Sequence, residues 1–191
     1  MHSYKPACIL ALSLLSLPLW AAQTQVPGIP NFHQVNEHIY RGGQPADPGW
    51  RGLSDLGVKT VIDLRREGEL GHSLAAEQRA VTALGMRYIS FPMNGIVAPD
   101  PQQVLKILSL LDGPDPVFVH CREGKDRTGT VIACYRISHD RWQNRKAMDE
   151  AKSYGIHWFE TGMKGYILGF HPLTQEAAAA PASQTASAQS N

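Results

Sequence analysis

The fold class this 191-residue sequence predicts is α/β, with a central, mostly parallel sheet flanked by helices and a helical carboxyl-terminal part. Three observations predict it. Short apolar, β-branched runs alternate with stretches of helical period. The last of those runs, VFVH, leads straight into a glycine-bracketed loop. After Arg127 the apolar pattern is helical throughout.

In chain order, strands are expected at Ile39-Tyr40, Val58 to Leu64, Tyr88 to Phe91 and Val117 to His120. Helices are expected at Trp50 to Leu56, Leu70 to Leu84 and Gln102 to Leu111, the last burying Leu105, Ile107, Leu108 and Leu111. The helical end comprises Thr128 to His139, Lys146 to Tyr154 and Gly162 to Gly169. In sheets of this kind ligands bind beyond the carboxyl ends of the strands. The stretch Val117 to Gly129, VFVHCREGKDRTG, begins with one strand and runs past such an end.

Residues 1–21 read as a secretory signal peptide. Lys5 lies in a short leading segment, Ala7 to Trp20 is almost wholly apolar, and Ala21-Ala22-Gln23 supplies small residues for cleavage. The apolar run falls short of the about 20 residues a membrane span needs. The expected location is therefore periplasmic or secreted, with no stable membrane insertion after cleavage. Residues 22–30 are expected as a linker and 31–174 as one domain. Residues 175–191, QEAAAAPASQTASAQSN, hold no aromatic or branched aliphatic side chain and are expected to be disordered.

Without the signal peptide the chain carries 17 basic and 17 acidic residues. That balance excludes nucleic acid as the main partner, since phosphate-backbone binding needs a basic excess. Of three cysteines only Cys121 and Cys134 survive cleavage, which excludes a disulfide-stapled module. A strand end and the second turn of the next helix are too far apart for those two to pair. Cys134, in the run VIACY, reads as core. Cys121 needs a chemical reason.

Gly124 and Gly129 permit a loop whose amide N–H groups converge, and the following helix adds the positive end of its dipole. That cradle suits a tetrahedral oxyanion, phosphate above all. Arg127 can fold over the anion and grip two oxygens. Arg122, Glu123, Gly124, Lys125, Asp126 and Arg127 are the candidate phosphate-binding residues. The same positive field favours the thiolate of Cys121. A thiolate beneath a phosphate monoester is placed for in-line attack on phosphorus, giving a phosphocysteine that water then hydrolyses. Thr128 can donate a hydrogen bond to the sulfur, and His120 can orient the loop through backbone hydrogen bonds.

HCREGKDRTG resembles the H-C-x-x-G-x-x-R-[ST] signature of the cysteine-dependent protein tyrosine and dual-specificity phosphatases, with Gly-Lys-Asp-Arg-Thr-Gly similar to secreted or periplasmic bacterial members and to inositol-phosphate- or phosphoinositide-directed ones. Tyr40-Arg41-Gly42-Gly43-Gln44-Pro45 and Val61-Ile62-Asp63-Leu64-Arg65 are similar to the "YRSGQP" opening and the "VINLR" strand of atypical dual-specificity enzymes. The resemblance implies a phosphatase of the dual-specificity type that uses no metal or other cofactor, with a phosphorylated protein or an inositol phosphate as partner. A phosphate-binding pseudophosphatase is the alternative of another class. A nucleotide loop of the Walker type is excluded, because Gly124-Lys125 is followed by Asp126 and the earlier glycine would fall on Val119. Cys121 also lacks the second cysteine of a zinc pair.

The resemblance implies a general acid from the loop upstream of the cysteine. Asp100 is the only carboxylate in Phe91 to Pro101, FPMNGIVAPDP, and its setting before Pro101 and Gln103 is also that of a helix cap. Asp126 is the rival, as acid or as an ion-pair partner positioning Lys125 or Arg127. Arg122 and Lys125 add charge that suits polyanionic substrates. Arg65, Arg66, Glu67 and Glu69 are expected in a solvated turn, and Trp142 and Trp158 as packing residues.

Overall fold

The computed structural model describes residues 25–172. The expected signal peptide and tail lie outside the described residues. Five strands form one sheet: β1 (His33–Gln34), β2 (Ile39–Gly42), β3 (Thr60–Asp63), β4 (Arg87–Ser90) and β5 (Val117–His120). Their order is β1-β2-β5-β3-β4. β1 runs antiparallel to β2, and every other pairing is parallel. β5 is the central strand, paired at Val119 with Arg41 on one side and Ile62 on the other. Cys121 therefore leaves the middle of the sheet at its carboxyl edge.

Among the described residues six α-helices cover the faces: α1 (Asp47–Asp55), α2 (Leu74–Thr82), α3 (Pro101–Leu111), α4 (Asp126–Ser138), α5 (Asn144–Ser153) and α6 (Thr161–Gly169). The alternation along each strand divides the core in two. Ile39, Ile62, Val117 and Val119 face α3 to α6, whereas Tyr40, Val61 and Phe118 face α1 and α2. The sheet is thus apolar on both sides, the condition for burying parallel strands.

Four differences from the sequence reading have clear causes. β1 is a two-residue edge strand, too short to carry a period. The expected helix Leu70 to Leu84 is broken: a 3-10 turn at Glu69–Gly71 precedes α2, with Gly68 and Gly71 at φ 74° and 77° and Ser73 capping the Ala76 N–H. α3 buries Val104, Ile107, Leu108 and Leu111, while Leu105 is only half-buried. Val26 and Ile29 are buried with the α1 face of the sheet, so the expected linker packs against the domain from Val26 onward.

Candidate active site

The loop from Cys121 to Arg127 closes over the end of β2. Gly124 has φ 71°, and a Cβ there would lie 2.4 Å from the Gly42 carbonyl carbon. A Cβ at Gly43 would meet the Arg122 oxygen at 2.9 Å. Both glycines are required by close approach of two backbones, not by turn geometry alone. Gln44 N–H donates to the Arg122 carbonyl at 3.0 Å, and both Asn31 Nδ2 and Arg41 Nη2 donate to the Gly124 carbonyl. With these carbonyls held outward, the opposite edge of the loop presents its amides to the concave side. α4 begins at Asp126 with no side-chain cap, which leaves its first N–H groups open toward the same point. Gly129 lies inside α4, where a Cβ would make only ordinary contacts with Ala151 and Arg41, so this glycine is not required by close packing.

Cys121 sits at the floor of a cleft of about 420 Å³ and is 3% exposed. Arg127 borders the same cleft and is already fixed. Its Nη1 and Nη2 each donate to Glu69 at 2.7 Å, and Nη1 also donates to the Leu64 carbonyl at 3.3 Å. Of the five guanidinium hydrogens, those on Nε and one on Nη2 remain, and together they form a two-pronged edge for oxyanion oxygens. Glu69 is therefore a positioning residue and no part of a solvated turn. The Arg127 hydrogen bond lowers the Glu69 carboxyl to about 2 against the opposing effect of burial. Arg65 is also buried, donating to Gln44 Oε1 and to the Glu69 carbonyl.

A buried polar cluster backs the loop. His120 Nε2 lies 2.9 Å from Glu77 Oε1, and Gln44 Nε2 donates to Glu77 Oε2 at 2.6 Å. Asp63 accepts from Tyr88 and lies 2.8 Å from His72 Nε2. Burial pushes His120 down, but the charges of Glu77 and Asp63 outweigh it and raise its pKa. Asp63, Glu77 and His120 are also the one group among the described residues with metal-type donor atoms within 4.8 Å of one another. Those atoms are engaged with each other and with their neighbours, which makes the cluster a lock on the β5 end. His120 thus orients the loop chiefly through Glu77, its contact to the Cys121 carbonyl being a long 3.3 Å.

Comparison with known proteins agrees with this geometry. The family model described as "DSP-PTPase phosphatase fused to NAD+ Kinase" matches residues 23–163. The chain belongs to this dual-specificity phosphatase family. It is 28% identical over 162 residues to the dual specificity protein phosphatase TpbA of Pseudomonas aeruginosa (strain UCBPP-PA14), covering 78% of this chain and 71% of that protein. It is 28% identical over 142 residues to the inositol diphosphatase DSP5 of Arabidopsis thaliana, covering 71% and 67%. The crystal structure of P. aeruginosa TpbA superposes with a TM-score of 0.65 at 25% identity, covering 78% of this chain and 89% of that one. The catalytic core of the PP-IP phosphatase Siw14 from S. cerevisiae gives 0.67 at 24%, a likeness of fold, over 77% and 89% of the two chains.

As a cysteine-dependent phosphatase, the chain departs from expectation at several residues. Asp100 caps α3 by accepting the Gln102 N–H at 2.9 Å, is exposed, and does not border the Cys121 cleft. Asp126 does border it, but its partner is neither Lys125 nor Arg127. It accepts the His157 backbone N–H at 2.7 Å, and its Oδ2 lies 2.8 Å from His157 Nδ1. Thr128 is fully buried, and its hydroxyl makes no hydrogen bond among the described residues, so the expected bond to the sulfur is not formed in this state. Lys125 pairs with Glu123 at 3.0 Å, and Arg122 lies 3.8 Å from the same carboxylate. Much of the supposed extra charge is thereby offset. Cys134 is core as expected, and neither cysteine is bridged.

Three cleft residues escaped the sequence reading: His157, Phe159 and Glu160, all from the α5–α6 connection. Only the HWFE stretch itself, a crowd of chemically able side chains between two helices, could have signalled them. Trp142 does pack, under Arg136 and Lys146. Trp158 does not. It is 83% exposed.

Proposed function

We propose that this phosphatase is an exported, tyrosine-directed enzyme of the dual-specificity type acting through a Cys121 phosphoenzyme. The observation that carries the substrate reading is the rim of the cleft. Leu70, Ile96 and Phe159 line it and are 73%, 76% and 54% exposed. Val97 and Trp158, also exposed, lie beside Ile96 and Phe159. Five of the six large exposed apolar side chains among the described residues thus belong to loops around one opening. A phosphate on an aromatic ring, flanked by apolar peptide side chains, matches that rim better than a hydrated polyanion does.

The chemistry follows from the floor. The loop amides, the start of α4 and the free edge of Arg127 hold the three non-bridging oxygens. The Cys121 thiolate attacks phosphorus opposite the ester oxygen. Water then attacks the phosphocysteine and releases inorganic phosphate.

A second reading, an inositol-phosphate or phosphoinositide phosphatase, is favoured by Arg66 and Arg122, which border the cleft and are exposed. The relatives named inositol diphosphatases support it as well. One panel tests both: the mature domain, with EDTA present, against an aryl phosphate, a phosphotyrosyl peptide and an inositol polyphosphate. The first reading expects kcat/KM highest for the peptide. Highest turnover of the inositol polyphosphate selects the second, and binding of all three without turnover would mean a pseudophosphatase. Export rests on the sequence of residues 1–21. It is checked by fractionating cells and sequencing the amino terminus, an intact cytoplasmic protein being the contrary result.

A further inference from the structure

We propose that Glu160 is the general acid of this phosphatase, protonating the leaving oxygen in the first step and accepting a proton from water in the second. The inference rests on the Cys121 chemistry above and supplies the one part that chemistry still lacks.

Three observations lead to it. Asp100 is committed to α3 and stands away from the cleft. Asp126 reaches the cleft but holds the His157 backbone and ring, so its oxygens are occupied in positioning the α5–α6 connection. Glu160 lines the cleft with Cys121, is 4% exposed, and has Oε2 sealed from solvent without a hydrogen-bond partner among the described residues. A carboxylate left so is costly, whereas a neutral carboxylic acid is far less so.

Its surroundings agree. Burial raises the Glu160 pKa and the charge of Asp126 adds to the effect, against the lowering influence of His157, Arg127 and Lys164. The shift runs in the direction a general acid requires. The backbone fixes the residue in place. Glu160 N–H donates to the His157 carbonyl and its own carbonyl accepts from Lys164 N–H, opening α6. The segment 96–98 packs over the next turn, where a Cβ on Gly162 would lie 2.9 Å from Ala98 N. Glu160 and the 91–101 loop therefore share one wall of the cleft.

The steps balance. The sulfur lone pair forms the S–P bond while the P–O ester bond breaks, and its electron pair goes to the leaving oxygen. That oxygen takes the Glu160 proton, giving a neutral alcohol or phenol and a Glu160 carboxylate. In the second step water oxygen bonds to phosphorus, one water proton passes to Glu160, and the S–P pair returns to sulfur as thiolate. The enzyme ends as it began.

The test compares wild type, Glu160→Gln, Glu160→Asp and Asp126→Asn across aryl and alkyl phosphates of graded leaving-group acidity and across pH. Glu160→Gln is expected to lower kcat/KM about 100-fold on poor leaving groups. It should nearly spare an aryl phosphate with a strongly acidic phenol, flatten the basic limb of the pH profile, and keep vanadate binding. Glu160→Asp, which retains a carboxyl, should keep that limb at a shifted position, and this result decides the matter if the glutamine variant does not fold. Wild-type leaving-group dependence in Glu160→Gln, an unmoved limb in Glu160→Asp, or the whole loss appearing in Asp126→Asn instead would overturn the assignment. Failure of the underlying reading looks different: turnover that persists in Cys121→Ser, or a wild type inactive on every ester.

Discussion

At the scale of single residues, the site depends on two contacts that have no slack. Gly124 combines a left-handed backbone with contact against Gly42. Gly124→Ala is expected to cost about 2 kcal/mol or more. The thermal midpoint should then fall by about 4–8 °C, with activity lost, as followed by calorimetry and aryl phosphate turnover. Glu69 holds Arg127, and removing that carboxylate in Glu69→Gln should cost on the order of 2 kcal/mol in guanidinium positioning. That corresponds to a roughly 30-fold drop in kcat/KM. The same pair sets an acid limit. The Glu69 pKa is depressed to about 2 from 4.5, so its contribution to stability is complete above 4.5 and is lost as pH falls through about 2. Urea midpoints measured from pH 5 to pH 2 should therefore converge for wild type and Glu69→Gln. These residues also mark the limit of sequence reading. Cys121 and Arg127 were legible because their spacing is itself the chemistry. Glu69, His157 and Glu160 were not, because each acts across a distance that only the folded chain brings together.

At the scale of elements, the junction of α2 with β5 matters most. Glu77 on α2 binds His120 at the end of β5, and Gln44 after β2 binds Glu77. Removing one partner of a buried charged pair costs about 3–5 kcal/mol, so Glu77→Gln should lower stability by an amount near the bottom of that range. The pH dependence has a definite sign. His120 is raised above its ordinary 6.5, so the contribution of this contact is fully present below about 6.5 and is lost as pH rises through the folded value. Chemical denaturation from pH 6 to pH 10 should show the wild-type advantage over Glu77→Gln shrinking toward the alkaline end. Most elements were legible because both faces of the sheet demand apolar runs. The break before α2 was not. Leu70 and Leu84 fit one helical period, and the Gly68 and Gly71 turns that interrupt it earn their place only through Glu69's bond to Arg127.

At the scale of the whole molecule, the phosphatase gathers five of the six large exposed apolar side chains among its described residues around one opening. Val97→Ser with Trp158→Ser alters that rim without touching the floor. The double variant should lose about tenfold in kcat/KM on phosphotyrosyl peptides with apolar flanks, about 1.4 kcal/mol of contact. Turnover of a small aryl phosphate should be unchanged, and equal losses on both substrates would mean the rim does not select. The mostly parallel sense of the sheet followed from the alternation of strands with helices, whereas the strand order came only with the folded chain. The rim was not legible, since Trp158 was expected to pack and Ile96 lies in a loop read only for its carboxylate. No helix among the described residues is long and apolar enough to cross a membrane.

The two thiols lie in the same layer, yet Cys134 is about 12 Å along α4 from its start and sealed in the core. Peroxide that reaches Cys121 therefore meets a sulfur with no resolving cysteine beside it among the described residues. Sulfenic acid formed there finds no partner thiol among the described residues for a disulfide, and further peroxide carries it toward sulfinic acid, which ordinary thiols do not reverse. Mass spectrometry after mild oxidant should find two or three added oxygens on Cys121 and no loss of two hydrogens. In an oxidising compartment, the working life of each copy would then be set by the supply of small reducing thiols.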